Sequence, residues 1–221
     1  EIASAASITD FGADALINVT GTSLTLTAAT GAIGATGTNG QIETDVTSFT
    51  AATPGNGGIF VNELDSTTTN GIALNTVNAG TGNVEIISAR SISDNNLDAL
   101  INVTGGSLTL RATTGAIGAS GTAGQLETDA VSLSAATPGN GGIFINELDT
   151  TTLDGIAILL LDAGTGAIEL ASARGIVDPG NDQVVDIRGV SLSLTAATGA
   201  IGATGLNASI DTDVTSLRAA T

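Results

Sequence analysis

The chain has 221 residues, of which 42% are hydrophobic and only 2% aromatic. It carries 22 acidic residues against five arginines, a net charge of −17, and it contains no cysteine and no histidine. Binding to nucleic acid through phosphate contacts is excluded, because such binding needs clustered Lys and Arg. A disulfide or thiolate site is excluded because there is no cysteine.

The sequence repeats itself with a fixed period. Residues 8–91 and 92–175 align without a gap and are identical at 56 of 84 positions, and 176–221 begins a third copy. A period held without insertions is typical of a linear array in which every copy contacts its neighbours in the same way. We therefore expect one continuous repeat array over 1–221, and the partial third copy suggests a segment of a longer chain.

Strands are indicated by the alternation of residue types. In SLTLTA, Leu24, Leu26 and Ala28 would face one side and the threonines between them the other. Arg111 replaces Thr27 in the second copy, which is acceptable only on a side that faces water. The pattern predicts a half-buried strand with its leucines in a core.

Within one unit, four strand–corner–strand turns are predicted at 23–46, 47–70, 71–90 and 91–106. Stacked by parallel hydrogen bonding, such turns would form an all-β parallel β-helix (a β-solenoid), with about four rungs of about 21 residues in each 84-residue unit. A division of the unit into three longer rungs is the alternative. The alternative is a string of tandem β-sandwich beads. The usual core Trp and corner Tyr of such domains are missing here.

One acidic motif recurs in every copy, with its two carboxylates at i and i+2 on the same side of a strand. Its residues are Glu43, Asp45, Glu127, Asp129, Asp211 and Asp213. Paired carboxylates could serve glycoside hydrolysis or bind structural Ca²⁺ between rungs. The third interpretation is a solvated acidic face that blocks lateral strand pairing.

A companion acidic pair follows in the next predicted rung, at Glu63/Asp65 and again at Glu147/Asp149. The recurrence of both pairs, with no His, Lys or Tyr to tune them, favours the solvated face and argues against catalysis. No cofactor is expected beyond the candidate Ca²⁺.

The runs SLTLTAATGAIGATG, TSFTAATPGNGGIFVNE and GTGNVEIISARSI resemble the repeat region of filamentous-haemagglutinin-like exoproteins of Gram-negative bacteria. These belong to a wider group of giant secreted adhesins. The resemblance implies a right-handed parallel β-helix, secretion to the bacterial cell surface, and a role in adhesion, biofilm or matrix.

The expected function is therefore a structural or adhesive stalk, or a fibre-forming segment, of a large secreted cell-surface protein, without catalysis. A carbohydrate-active β-helix, such as a polysaccharide lyase or hydrolase, is the alternative, and the absence of Lys and His counts against it.

Expected partners are further copies, end to end or in the same chain, and a host or matrix surface bound through other parts. No apolar run reaches the length of about 18 residues that suggests membrane insertion.

Overall fold

A computed structural model of the chain describes residues 1–12, 15–37, 39–67, 70–151, 155–180, 183–204 and 209–221. The described residues form strands, turns and bends, and no helix occurs among them. Accordingly, this part of the chain contains no helix with the length and apolar character that crossing a membrane requires.

The described residues contain fifteen strands, which belong to one sheet in which every pairing is parallel. The strands are β1 (Ile2–Ser4), β2 (Val19–Ala28), β3 (Ile42–Ala52), β4 (Ile59–Glu63), β5 (Ile72–Asn78), β6 (Val84–Ser88), β7 (Ile92–Asp94), β8 (Val103–Ala112), β9 (Leu126–Ala136), β10 (Ile143–Glu147), β11 (Ile156–Asp162), β12 (Ala167–Ser172), β13 (Ile176–Val177), β14 (Ile187–Ala196) and β15 (Thr212–Ala220). The predicted β-solenoid is confirmed, and the tandem β-sandwich alternative is wrong.

Residues paired across adjacent turns form two columns. The first column is Ile2, Leu26, Ala51, Val77, Val103, Thr128, Glu147, Ser172 and Ala196. The second column is Ile42, Val61, Ile86, Leu110, Ala135, Leu161, Ile187 and Thr212. Side chains that bond to the next turn most often reach a partner 25 residues away, which is the usual length of one turn.

The predicted rung is therefore too short, and each copy of the repeat contains about three and a half turns instead of four. The predicted fourth rung, 91–106, is not a turn of its own. Its first part, β7, pairs with the start of β5, and the start of β8 pairs with the end of β5. The intervening residues form a loop outside the sheet, which the sequence pattern did not distinguish from a turn.

A half-integral number of turns places equivalent residues of successive copies in different columns. Leu26 lies in the first column, whereas its equivalent Leu110 lies in the second. Val77 and its equivalent Leu161 are divided in the same way. Successive copies are thus displaced by about half a turn, and two copies bring an equivalent residue, Leu194, to within two positions of the column that holds Leu26.

The core consists of aliphatic side chains stacked on their partners in the next turn. One such stack is fully or almost fully buried and contains Ile72, Ile92, Ile117, Ile143 and Ile168. The predicted inward residues Leu24, Leu26 and Ala28 are buried, and Arg111 is exposed. The alternation and its substitution pattern therefore identified the core correctly.

Glycine is required where corners of successive turns touch. A Cβ at Gly57 would lie 2.0 Å from the carbonyl oxygen of Gly31, and one at Gly141 would lie 2.0 Å from that of Gly115. Contacts this short involve backbone atoms that cannot move aside. The corners therefore stack this closely only because Gly57 and Gly141 have no side chain.

Replacement of Ile117 by Ala tests the stacked core. We expect a loss of about 2–5 kcal/mol in the free energy of unfolding, measured by urea denaturation, because a cavity replaces a fully buried side chain. Val131→Ala is the control, since Val131 is 46% exposed and should change stability by less than about 0.5 kcal/mol. Equal effects of the two changes would contradict the assignment of the core.

Candidate functional site: the buried carboxylates

The acidic motif of the first two copies is buried. Glu43 and Asp45 in β3, and Glu127 and Asp129 in β9, have no exposed surface. The interpretation as a solvated acidic face is therefore wrong for these four residues. Their shared side of the strand was predicted correctly, but that side is covered by other parts of the chain.

Hydroxyl and N–H groups from the segment after the next strand cover Asp45. Its Oδ2 accepts hydrogen bonds from Ser66 Oγ at 2.6 Å, from Thr67 Oγ1 at 2.6 Å and from the Thr67 N–H at 2.8 Å. In the second copy, Thr150 and Thr151 make the equivalent bonds to Asp129. Hydrogen bonds to a carboxylate are strong, so each aspartate anchors the loop that follows the next strand.

The third copy of the motif is more exposed. Asp211 is half-buried, and Asp213 is exposed and lies 3.6 Å from Arg188. These residues belong to β15 and its approach, and β15 pairs only with β14 among the described strands. The same sequence motif is therefore buried or open according to whether another turn covers it.

The companion glutamates point in the opposite direction, into the solenoid. Glu63 pairs with Thr44, one position away from the pairing of Glu43 with Asn62, so Glu43 and Glu63 lie on opposite faces of the sheet. The alternation of Ile59, Val61 and Glu63 in β4 already indicates this inward direction. The sequence interpretation missed it because it treated Glu63 and Asp65 as one outward pair.

Each inward glutamate is held by three donors. Glu63 accepts hydrogen bonds from Thr44 Oγ1 at 2.6 Å, from the Val46 N–H at 3.0 Å and from the Asp65 N–H at 3.3 Å. In the second copy, Glu147 accepts equivalent bonds from Thr128, Ala130 and Asp149. The carboxylate joins the middle of one strand to the start of the loop that follows the next.

Burial changes the acidity of these groups. Desolvation raises the pKa of Glu63 to about 7 and that of Glu147 to about 7, although their hydrogen bonds act in the opposite direction. Desolvation, followed by the nearby charge of Asp94, raises the pKa of Glu127 to about 7. All three groups therefore change their protonation near neutral pH.

An ion pair to Asp149 stabilises the loop whose Thr150 and Thr151 cover Asp129. Its backbone adopts a left-handed conformation with φ of 52°, and its Oδ2 accepts the Gly155 N–H at 3.1 Å. Arg174 Nε lies 2.9 Å from the same oxygen. Because the Asp149 side chain is fully buried, Arg174 supplies the positive charge that this carboxylate needs.

A buried amide, missed by the sequence analysis, lies beneath the motif. Asn102 Oδ1 accepts the Glu127 N–H at 2.9 Å, and Asn102 Nδ2 donates to Asp94 Oδ1 at 2.9 Å. Asn18 makes the same two contacts in the first copy, to Glu43 and Asp10. The recurrence of this Asn at the same place in both copies was the available signal, although it does not by itself indicate burial.

The arrangement differs from an open metal or catalytic site. Among the described residues, no three Asp, Glu, His or Cys side chains form a group that could hold a metal ion. Asp45 and Asp129 direct their oxygens at hydroxyl groups of the same chain. Structural Ca²⁺ at the sequence candidates stays a prediction. The observed hydrogen bonds of Asp45 and Asp129 attach loops to strands.

Comparison with protein-family models, with curated proteins and with solved structures gives no match for this chain.

The raised pKa values predict unusual pH dependence of stability. A glutamate whose pKa rises from 4.5 to about 7 on folding contributes stability that is complete below the unfolded value and is lost as pH rises through 7. We expect the free energy of unfolding to fall between pH 5.5 and pH 8, by up to about 1.4 kcal/mol per pH unit for each group. Urea denaturation at both pH values measures this.

The matched variant is the double change Glu63→Gln and Glu147→Gln, which keeps the shape of the side chains and removes two of the titrating groups. It should flatten the pH dependence, whereas Glu1→Gln at the exposed terminus should leave it unchanged. A stability that rises from pH 5.5 to pH 8 in the unmodified chain would contradict the account.

Replacement of Arg174 by Gln tests the ion pair. We expect a loss of about 1–3 kcal/mol in unfolding free energy, because the buried Asp149 carboxylate loses a charged partner. Arg111→Gln is the matched control, since Arg111 is exposed and its Nη1 donates to the neutral Thr113 Oγ1. Thermal melting of both variants should show a lower midpoint for Arg174→Gln alone, and indistinguishable midpoints would refute the role of the pair.

Proposed function

We propose that this chain is a structural or adhesive stalk segment of a large secreted protein of a bacterial cell surface, with no catalytic activity of its own. One observation carries the proposal. Hydrogen bonds between successive turns recur from one copy to the next, and Glu63 with Thr44 and Glu147 with Thr128 make the same buried bonds. The repeat therefore preserves a way of stacking turns.

Length is the property that such stacking produces. Each turn adds about 4.8 Å to the axis, so one copy of three and a half turns adds about 17 Å. Equivalent surface residues return to the same side only after two copies, or about 34 Å. A stalk of this repeat presents every surface motif on both sides in alternation, which suits a spacer that carries binding regions away from a surface.

An exposed apolar residue of β15 supports further copies of the repeat as a partner. Leu217 in β15 is 58% exposed, whereas its equivalents Phe49 and Leu133 are fully buried under the following turn. Further copies, in the same chain or in a neighbouring molecule, would bury this residue in the same manner. We propose such copies as the partner of this end.

Small-angle X-ray scattering on chains of two, four and six copies tests the stalk. We expect the maximum dimension to grow by about 17 Å per added copy while the cross-sectional radius stays constant. Growth in the cross-section, as for a globular assembly, would overturn the proposal. Release of sugar from a bacterial or plant polysaccharide by the purified chain would favour the carbohydrate-active alternative.

A further inference from the structure

One peptide bond in the third copy lies in a bend that the repeat provides. After β13 the chain turns at Asp178, whose Oδ1 accepts the Gly180 N–H at 2.6 Å. Asp10 and Asp94 make the same contact to the second following residue, at 3.1 and 3.0 Å. This hydrogen bond closes a ring around the peptide bond that follows the aspartate. The carboxyl group is thereby held beside the backbone.

Only the third copy places proline after this aspartate. The residue that follows Asp10 is Phe11, and the one that follows Asp94 is Asn95, but Pro179 follows Asp178. The Asp178–Pro179 bond is a tertiary amide. When such a bond breaks, the proline nitrogen leaves as a secondary amine, which accepts a proton more readily than the nitrogen of an ordinary peptide group.

The second carboxyl oxygen is also different in the third copy. Asp94 Oδ2 accepts the Asp98 N–H at 3.0 Å, and Asp94 Oδ1 receives the amide of Asn102. At Asp178, by contrast, Oδ2 is buried and has no hydrogen-bond donor among the described residues. The equivalent of Asn102 is Asp186, whose carboxyl group has no N–H to donate.

The bond is also next to solvent. Asp178, Pro179 and Asp186 line one shallow pocket, together with the half-exposed Leu159. Asp186, the titratable group that lines the same pocket as Asp178, also accepts the N–H of Asp211 from the next turn. Water therefore reaches the peptide bond.

We propose that Asp178 cleaves the Asp178–Pro179 peptide bond of its own chain under mildly acidic conditions. Oδ2 attacks the carbonyl carbon of Asp178, and a five-membered cyclic anhydride forms as the carbon–nitrogen bond to Pro179 breaks. The proline nitrogen keeps the electron pair of that bond and takes the proton that the carboxyl group gives up. Water then opens the anhydride, so one water molecule is consumed. The bend keeps nucleophile and carbonyl together throughout.

Cleavage would leave the solenoid assembled. The strand after the cut, β14, pairs with β12 and β11 before the cut through eight register positions. The piece that begins at Pro179 therefore stays bound through its sheet contacts until the protein is denatured. After the reaction, the part of the chain from Pro179 onward is held to the rest of the array only by its strand pairing.

Mass spectrometry of the intact chain tests the proposal. After incubation at about pH 4, we expect two fragments, one ending at Asp178 and one beginning at Pro179. We expect no cut after Asp10 or Asp94. The rate should be at least about tenfold higher in the folded chain than in urea at the same pH, because the fold holds the reacting groups together. No cut at this bond, or an equal rate in urea, overturns the proposal.

Two variants taken from the second copy serve as controls that should fold. Pro179→Asn introduces the residue found at Asn95 and should abolish cleavage. Asp186→Asn introduces the amide found at Asn102, which can donate to Asp178 and should slow cleavage about threefold to tenfold, the effect of one hydrogen bond. An unchanged rate in Asp186→Asn overturns the role assigned to the free oxygen, and cleavage of Pro179→Asn overturns the role of proline.

Discussion

Parallel pairing between successive turns is the constraint on which the rest of this structure depends. A strand finds its partner one turn away, commonly at a separation of 25 residues. The sequence period does not contain a whole number of such turns, so a copy ends half a turn away from where it began. The residue type at an interior position of the repeat must therefore pack well in either column. Aliphatic residues of similar size meet this demand, which explains why Leu26 and Leu110 can occupy different columns and both be buried.

The buried carboxylates show how the turns are joined outside the hydrophobic contacts. Removing an acidic side chain from water is costly unless hydrogen bonds replace the lost hydration. Glu63 and Asp45 lie on opposite faces of the sheet, and each accepts a hydrogen bond from the same loop. Asp65 of this loop donates its N–H to Glu63, and Ser66 donates its hydroxyl group to Asp45. The repeat thus uses polar groups to fix the loop positions, while the aliphatic stacks supply the burial.

Much of the fold could be predicted because it is encoded in local patterns. The alternation around Leu24 and the replacement of Thr27 by Arg111 identify strand, core side and solvent side. The turn length could not be read in this way, because pairing partners lie far apart and loops outside the sheet look like corners. The burial of Glu43 and Asp45 was missed for the same reason, since the residues that cover Asp45 come from the next turn.

Disulfide trapping tests the observed turn length most directly, and the absence of native cysteine makes it unambiguous. Thr25 pairs with Thr50 and Glu85 pairs with Thr109, so cysteines at either pair lie within the Cα separation of about 4.4–6.8 Å that a disulfide needs. The account predicts rapid cross-linking of both pairs under mild oxidation. Preferential cross-linking of cysteines separated by the shorter predicted rung, about 21 residues, would contradict it.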